Sequence, residues 1–421
     1  MATEDNQQKK LSTEPYKGVR DFYPQDMQIE RYIFDTMSRV TESFGYSEYS
    51  ASILEPTELY QSKTNDEIVN EQTYTFTDRG GREVTLRPEM TPTLARMVAG
   101  KRHDLTFPLR WYSIPNVFRY ERPQRGRVRE HWQLNADLFG VSELDAEVEI
   151  ISLASSLMKA FGAEDNDFEI RMSDRSILTS IFEELKTSEE VQAKVMRLLD
   201  KRAKIDDFDT QLKAILGEQS ESFVEKLEST SSSSNLELVL SQLKNLGVTN
   251  AVIDTSIVRG FDYYTGVVFE VFDTSSENNR SLFGGGRYDN LLSLFGGDKI
   301  PAVGFGMGDV TIRDFLETHD LLPPYNARTE LFLCTLTQSA KEYAQKLAQA
   351  LREQDINVEV ALSDKKVGDQ IKIANKKGIP FVICIGEDEI KNESFTIKHL
   401  ESGEEKTLKE DAVADYIFSK I

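Results

Sequence analysis

From Pro24 the chain repeats apolar positions at helical spacing. Ile33, Met37, Val40 and Phe44 share one face, and Gly45 follows where a helix C-cap belongs. The period then shortens to two. YTFTDRGGREVTLRP, from Tyr74, alternates on both sides of an Arg-Gly-Gly turn and predicts a β-hairpin. LRWYSIPNVFRYE, from Leu109, predicts another extended run, and QLNADLFG, from Gln133, its partner; the basic loop ERPQRGRVREHW lies between them. The first 170 residues therefore predict an antiparallel sheet with flanking helices. From about 175 to 245 charged helical periodicity takes over. The serine run STSSSSN at 229–235 interrupts it, which predicts a helical insertion with a flexible internal loop. The sheet pattern returns in AVIDTSIVRGFDYYTGVVFEVF and continues through GGGRYD to AVGFGMGDV. Beyond Pro323-Pro324, the short apolar runs LFLCTL, VEVAL and FVICIG alternate with helical patterns, the sign of a small α/β domain with a largely parallel sheet. No short internal repeat is present.

Length and composition add limits. A chain of 421 residues exceeds one ordinary core and predicts two or three domains. It contains no apolar run of about 18 residues that would span a membrane. The polar start MATEDNQQKKLSTEP lacks the apolar stretch of a signal peptide and reads as a disordered tail over residues 1–15. Cys334 and Cys384 both fall in apolar runs, so a reducing cytoplasm is the expected location. Four scattered histidines offer no zinc spacing, and no structural metal is expected. The formal charge of −21 argues against a general nucleic-acid binder, because phosphate contacts need Lys and Arg. Any RNA contact is then confined to local patches and is salt-sensitive.

Four stretches carry candidate chemistry. GGGRYD and GFGMGD are glycine-rich, but neither holds the P-loop pattern, and GFGMGD lacks the third glycine of the dinucleotide fingerprint. On glycine alone, tight turns and close packing account for them. In FRYERPQRGRVR, Arg119, Arg122, Arg125, Arg127 and Arg129 place five guanidinium groups within eleven residues of an acidic chain. That density suits either a solvated hairpin loop or a polyanion site whose forks match phosphate oxygens. In TLRPEMTPT, Glu89 and Thr91 follow a strand end; they suit a capping turn or an ammonium ligand. In RGFDYYTG, Arg259 precedes Tyr263 and Tyr264 at the mouth of a strand. The tyrosines are ordinary core residues, whereas a buried arginine needs an anion.

Taken in order along the chain, these stretches resemble the histidyl-tRNA synthetase family of class II aminoacyl-tRNA synthetases. KGVRDFYP resembles the family's opening motif, FRYERPQRGRVREHWQLNADLFG its motif 2, RGFDYYTGVVFE its histidine motif, GGGRYDNLL with AVGFGMG its motif 3, and KKVGDQIKIANKKGIPFVICIGEDE its anticodon-binding domain. The resemblance covers nearly the whole chain. It implies an α+β catalytic domain on an antiparallel class II sheet over 16–174 and 246–322, a helical insertion over 175–245, and a C-terminal α/β anticodon-binding domain over 327–421. It implies ATP-dependent attachment of L-histidine to tRNA(His) through a histidyl-adenylate. It also implies roles for residues: Glu89 and Thr91 at the histidine amino group, Arg119 between its carboxylate and the ATP α-phosphate, and Glu121 at adenine. Gln133, Asp137, Tyr263 and Tyr264 line the amino-acid pocket, and Arg259 is the catalytic cation. Arg125 and Arg127 are expected at the tRNA acceptor end. Mg2+ is expected with ATP, and the expected assembly is a homodimer that engages neither membrane nor DNA.

The chain departs from the family pattern at two positions. Ser52 stands where motif 1 carries a proline, which puts the local interface geometry in question. Thr311 stands where motif 3 carries an arginine, leaving Arg313 or an arginine of the motif 2 loop to hold the ATP tail. The C-terminal region 327–421 balances 14 Lys and Arg against 17 Asp and Glu, and SDKKVGDQIKIANKKG carries five lysines. That stretch is either a solvated helix face or a contact to RNA phosphates, which positions without specifying sequence. A regulatory relative of the family that does not charge tRNA typically lacks both the tail domain and the histidine motif; this chain has both.

Overall fold

The computed structural model describes residues 11–61, 72–122, 124–200, 202, 205–230, 232–257, 263–278, 280–296, 299–363 and 365–420. Most of the tail expected at 1–15, and Arg259 with its neighbours 258–262, lie outside the described residues. The chain divides into two compact units, with the boundary between Pro323 and Pro324.

The helix Pro24–Ser43 begins with proline in its first turn, where a missing N–H costs nothing, and Gly45 follows it at φ +84°. Ile33, Met37 and Val40 are buried along one face, as the spacing predicts, while Phe44 is half-buried. The strands of this unit are β1 (Ser47–Glu48), β2 (Leu54–Pro56), β3 (Tyr74–Thr77), β4 (Glu83–Leu86), β5 (Leu109–Ser113), β6 (Asn116–Phe118), β7 (Glu130–Phe139), β8 (Phe168–Asp174), β9 (Ala251–Ile253), β10 (Val267–Asp273), β11 (Ser281–Arg287) and β12 (Ala302–Gly308). Among the described residues nine of them form one sheet in the order β1-β5-β7-β12-β11-β10-β8-β9, with β6 also paired to β7, and β2-β4-β3 form a second. The hairpin expected from Tyr74 is β3–β4, closed by Asp78, whose carboxylate accepts the Gly80 and Arg82 N–H groups at 2.8 and 2.9 Å.

The large sheet is antiparallel through its centre, but at both ends it is parallel: β1 with β5, and β8 with β9. Parallel neighbours need a long crossover. The whole helical stretch 175–245 is the crossover from β8 to β9, a connection that hairpin signals in the sequence do not announce. The two faces of the sheet differ. Leu134, Ala136 and Leu138 of β7 and Val303, Phe305 and Met307 of β12 join one core with Ile33, Met37 and Val40 and with the helices Asp145–Ala160 and Asp309–Thr318. Each of these Leu, Ile, Val, Phe and Met side chains contributes roughly 1.5–3 kcal/mol on burial. The alternate residues of the same strands face the other way.

Five helices follow β8: Arg175–Leu185, Glu189–Asp200, Phe208–Leu216, Gln219–Ser229 and Ser234–Asn245. The end of the serine run, expected as a flexible loop, instead opens a helix at Ser234. Ser233 caps it, accepting the Leu236 N–H at 3.2 Å and donating to Asp174 at 2.9 Å. Asp174 in turn caps the helix Arg175–Leu185 through the Ser176 N–H. Serine is a natural N-cap, and composition alone does not separate a cap from a linker.

The C-terminal unit holds β13 (Leu331–Thr335), β14 (Val358–Val360), β15 (Phe381–Ile385), β16 (Ser394–His399) and β17 (Glu405–Lys409) in the order β14-β13-β15-β16-β17. β13 runs parallel to β14 and β15, but β16 and β17 add antiparallel pairs. The sheet is therefore only half parallel. SFTIKHLESGEEKTLK is a hairpin turning at Gly403, φ +72°, which the sequence reading passed over. Leu331 and Leu333 pack with the helix Gln338–Arg352 on one face, and Phe332 and Cys334 pack with Ala374, of the helix Val367–Lys376, on the other. Both cysteines are free thiols. Among the described residues no helix is long and apolar enough to cross a membrane.

Replacing Ser233 by Ala removes a helix cap and one of the contacts of Asp174. The expected loss is about 1–2 kcal/mol, read as a lowered urea midpoint for unfolding of the first unit.

Candidate active site

The face of the large sheet away from the helices carries polar side chains opposite glycines. On β7 the side chains of His131, Gln133, Asn135 and Asp137 alternate with the core residues, so all four lie on this face. Their partners on β12 are glycines: Gly308 opposite Gln133, Gly306 opposite Asn135 and Gly304 opposite Asp137. On β11, Gly284 and Gly286 continue the strip opposite Gly306 and Gly304. A Cβ at Gly304 would stand 2.1 Å from the Asp137 carboxylate, and one at Gly306 would stand 2.5 Å from Gln133 Nε2. The glycine-rich segments are thus strands with one bare face, not the turns that glycine alone suggests. Thr311 is no part of this floor; its hydroxyl is bonded to the Leu282 carbonyl at 2.7 Å.

Asp137 is the chemical centre. It is 3% exposed, and Oδ1 accepts a hydrogen bond from Tyr288. Among the described residues Oδ2 accepts none. Tyr49, Phe139, Tyr263, Tyr264, Val268 and Tyr288 belong to the apolar cluster on this face. Burial pushes the carboxyl up to about 7, against the opposing effect of the Tyr288 hydrogen bond. Gln133 is oriented by Asn135, with Nε2 donating to Asn135 Oδ1 at 2.7 Å.

Glu89 and Thr91 sit where β4 gives way to the helix Thr91–Lys101. Glu89 is buried, and the Tyr263 hydroxyl donates to its Oε2 at 3.3 Å. The rings of Tyr263 and Tyr264 lie 4.9 Å apart, and Tyr263 meets Tyr288 at 5.8 Å. Arg119 follows β6 directly; its Nε donates to the Pro88 carbonyl at 2.9 Å, which sets its guanidinium beside the Glu89 turn. Glu121 lies two residues on and pairs with Arg127 at 3.3 Å. Arg125 is bonded to Asp314 at 2.9 and 3.2 Å, so both loop arginines expected at RNA hold acidic partners. Arg313 pairs with Asp26 and Glu317, each at 3.0 Å, so its charge is already engaged. Ser52 is exposed and closes a short turn by accepting the Leu54 N–H at 3.2 Å.

The structure thus brings together Glu89, Arg119, Gln133, Asp137, Tyr263 and Tyr264, as the sequence order suggests. It adds Tyr288, Asn135 and His131, which sequence reasoning missed. Period-2 spacing along HWQLNADLFG, from His131, was signal enough for Asn135 and His131. Tyr288 ends the glycine run GGGRYD, and only the fold reveals that it reaches Asp137. Burial, and then the guanidinium groups of Arg119 and Arg20, hold His131 neutral, down to about 3. Among the described residues no group of three or more His, Cys, Asp or Glu is arranged to hold a metal ion.

A sheet covered by helices on one face and cleared by glycines on the other, with an arginine hairpin beside buried carboxylates, defines a catalytic domain of the class II aminoacyl-tRNA synthetase type. Comparison narrows this. A family model described as histidyl-tRNA synthetase matches residues 18–310, and one described as an anticodon binding domain matches residues 330–420. A histidine–tRNA ligase of Leptospira biflexa is 44% identical over 94% of this chain and 95% of its own. That of Thermoplasma volcanium is 38% identical over 94% and 96%. The crystal structure of histidyl-tRNA synthetase from Nostoc sp. PCC 7120 matches with a TM-score of 0.80 at 27% identity, covering 98% of this chain and 100% of that one. The chain belongs to the histidyl-tRNA synthetase family.

The raised Asp137 carboxyl has a measurable sign. Between about pH 4 and 7 the folded chain keeps a proton that the unfolded chain has released, so stability falls as pH rises through this window. Asp137→Asn is expected to be more stable than the parent by about 4 kcal/mol at pH 8 and equal to it near pH 4, by denaturant unfolding at each pH.

Proposed function

We infer that the protein attaches L-histidine to tRNA(His) in two steps, through a histidyl-adenylate, with ATP consumed and AMP and pyrophosphate released. Beyond family membership, the single observation that carries this reading is the buried Asp137 carboxylate beside Tyr263, Tyr264 and Tyr288. Its Oδ2 is available to an imidazole N–H. A site that hydrogen-bonds both ring nitrogens leaves buried polar groups unpaired when another side chain enters, and rejection by that route reaches roughly 10⁴-fold.

The roles are those the family resemblance implies, and for the described residues the geometry supports them. Glu89 and Thr91 receive the α-ammonium group, and Gln133 and Asp137 with the tyrosines receive the side chain. Arg119 lies between the histidine carboxylate and the ATP α-phosphate, and Glu121 faces adenine once Arg127 releases it. Arg259 supplies the second fixed cation. In the first step a carboxylate oxygen attacks the α-phosphorus and pyrophosphate leaves, so negative charge spreads over the phosphoryl oxygens. Alignment and permanent positive charge stabilise that arrangement more than acid–base groups do. A guanidinium keeps its charge at any working pH. Mg2+ enters with ATP as its counter-ion. In the second step a ribose hydroxyl of the tRNA 3′ end attacks the adenylate. Arg125 and Arg127 contact the acceptor end by exchanging Asp314 and Glu121 for phosphates, and the C-terminal unit holds the anticodon. A cytoplasmic homodimer is the working form.

Pyrophosphate exchange into ATP, run with each of the twenty amino acids, tests this directly. Exchange with histidine alone is expected; exchange with none sinks the reading. Arg259→His is expected to cut adenylate formation at least about 100-fold at pH 8 while histidine still binds, measured by exchange and by calorimetry. Near-normal turnover of that variant moves the catalytic cation elsewhere.

A further inference from the structure

The segment Tyr16–Tyr23 precedes the first helix and supplies none of the groups assigned to ligands. It is nevertheless bonded to two of the stretches that carry them, the Arg119 hairpin and β7. The Gly18 carbonyl accepts the Arg129 N–H at 2.6 Å, and the Arg129 carbonyl accepts the Arg119 N–H at 3.0 Å. The Arg129 guanidinium donates to the Tyr16 hydroxyl at 3.1 Å and lies 4.0 Å over the Tyr120 ring. Phe22 meets the Trp132 indole edge-on, with centroids 5.4 Å apart.

Arg20 reaches deepest. It donates to Asp309 Oδ2 at 2.6 Å and lies 3.8 Å from Glu30 Oε1. Asp309 is fully buried and opens the helix Asp309–Thr318, where negative charge is favoured. Its other oxygen accepts the Trp132 N–H at 3.0 Å. One carboxylate therefore ties together the N-terminal segment, the helix that follows β12, and β7 at the residue between His131 and Gln133. Glu30 is a second buried carboxyl, with Arg313 4.0 Å away. Burial and the nearby Asp309 raise the Glu30 carboxyl to about 7, while Arg20 and Arg313 oppose that rise. Without Arg20, Asp309 stays fully buried and loses its only guanidinium donor among the described residues, so the clamp between the N-terminal segment and β7 is broken.

We propose that Arg20 is a positioning residue for adenylation: through Asp309 it fixes the part of β7 that presents Gln133, while its neighbour Gly18 fixes the backbone that presents Arg119. The inference rests on the function proposed above. Arg20 is bonded within the protein, to Asp309 and beside Glu30, and the proposed roles give it no substrate. Its loss misaligns the reacting groups more than it weakens ground-state binding, so turnover suffers before KM.

The test compares Arg20→Met with Arg110→Met in histidine-dependent pyrophosphate exchange, below both melting temperatures. Arg110 forms a two-point ion pair with Glu149 in the same unit, away from the ligand face, and serves as the control for lost stability alone. Arg20→Met is expected to lower kcat about 30-fold with KM for histidine and ATP within about threefold, while Arg110→Met keeps the parent kcat. The double variant Arg20→Met/Asp309→Asn is expected to be no worse than Arg20→Met, because both changes break one clamp. Should Arg20→Met fail to fold, Arg20→Lys, which keeps the charge without the fork, is expected to show a smaller loss in the same direction. A kcat within twofold of the parent in the Arg20 variant that folds, or an equal loss in Arg110→Met, overturns the positioning role. A parent chain with no exchange overturns the function itself, and this role with it.

Discussion

The site depends on the missing Cβ atoms of β12. Asp137 and Gln133 lie flat against Gly304 and Gly306, closer than any side chain would allow. Two adjacent strands are bare on the same face, so a planar ligand can rest on backbone while polar side chains of β7 meet it from the side. Glycine in a strand costs roughly 0.5–1 kcal/mol each in lost conformational freedom. The opposite face offsets that cost, because every intervening residue of β12 (Val303, Phe305, Met307) is buried against helices. The alternation of the pleat thus lets one strand serve stability and binding at once.

Charge is distributed on a similar principle. This acidic chain buries several carboxylates, and most are matched. Glu147 takes a two-point ion pair from Arg287, and Asp309 takes Arg20 and a backbone N–H. Asp137 has a phenol only. Matched buried charges cost little once paired, whereas an unmatched one is costly and is retained where a ligand completes it. Glu30 stands between these cases, with Arg20 at 3.8 Å and Arg313 at 4.0 Å but no hydrogen bond to either oxygen among the described residues.

Much of this was legible in the sequence. Helical spacing placed the first helix, alternation placed β3–β4 and the pairing of β7, and the family resemblance named Glu89, Arg119, Gln133, Asp137 and the tyrosine pair, which lie on or beside one face of the sheet. Three features were not legible, for separate physical reasons. The parallel pairings at the sheet ends depend on crossovers longer than any local window. Ser233 has the composition of a linker and the geometry of a cap. Tyr288 and Arg20 act through partners 151 and 289 residues away, and no local period encodes such a distance.

The ends of the sheets carry one more consequence. The large sheet finishes on β1, two residues long, and on β9, three residues long, while the smaller one finishes on the three-residue β14 and on β17, whose sequence EKTLK is mostly charged. An exposed edge is a template for a foreign strand, and stubs or charged edges deny it length or register. Among the described residues neither of these two sheets ends on a long uncharged strand, so each edge is poor ground for pairing with another chain.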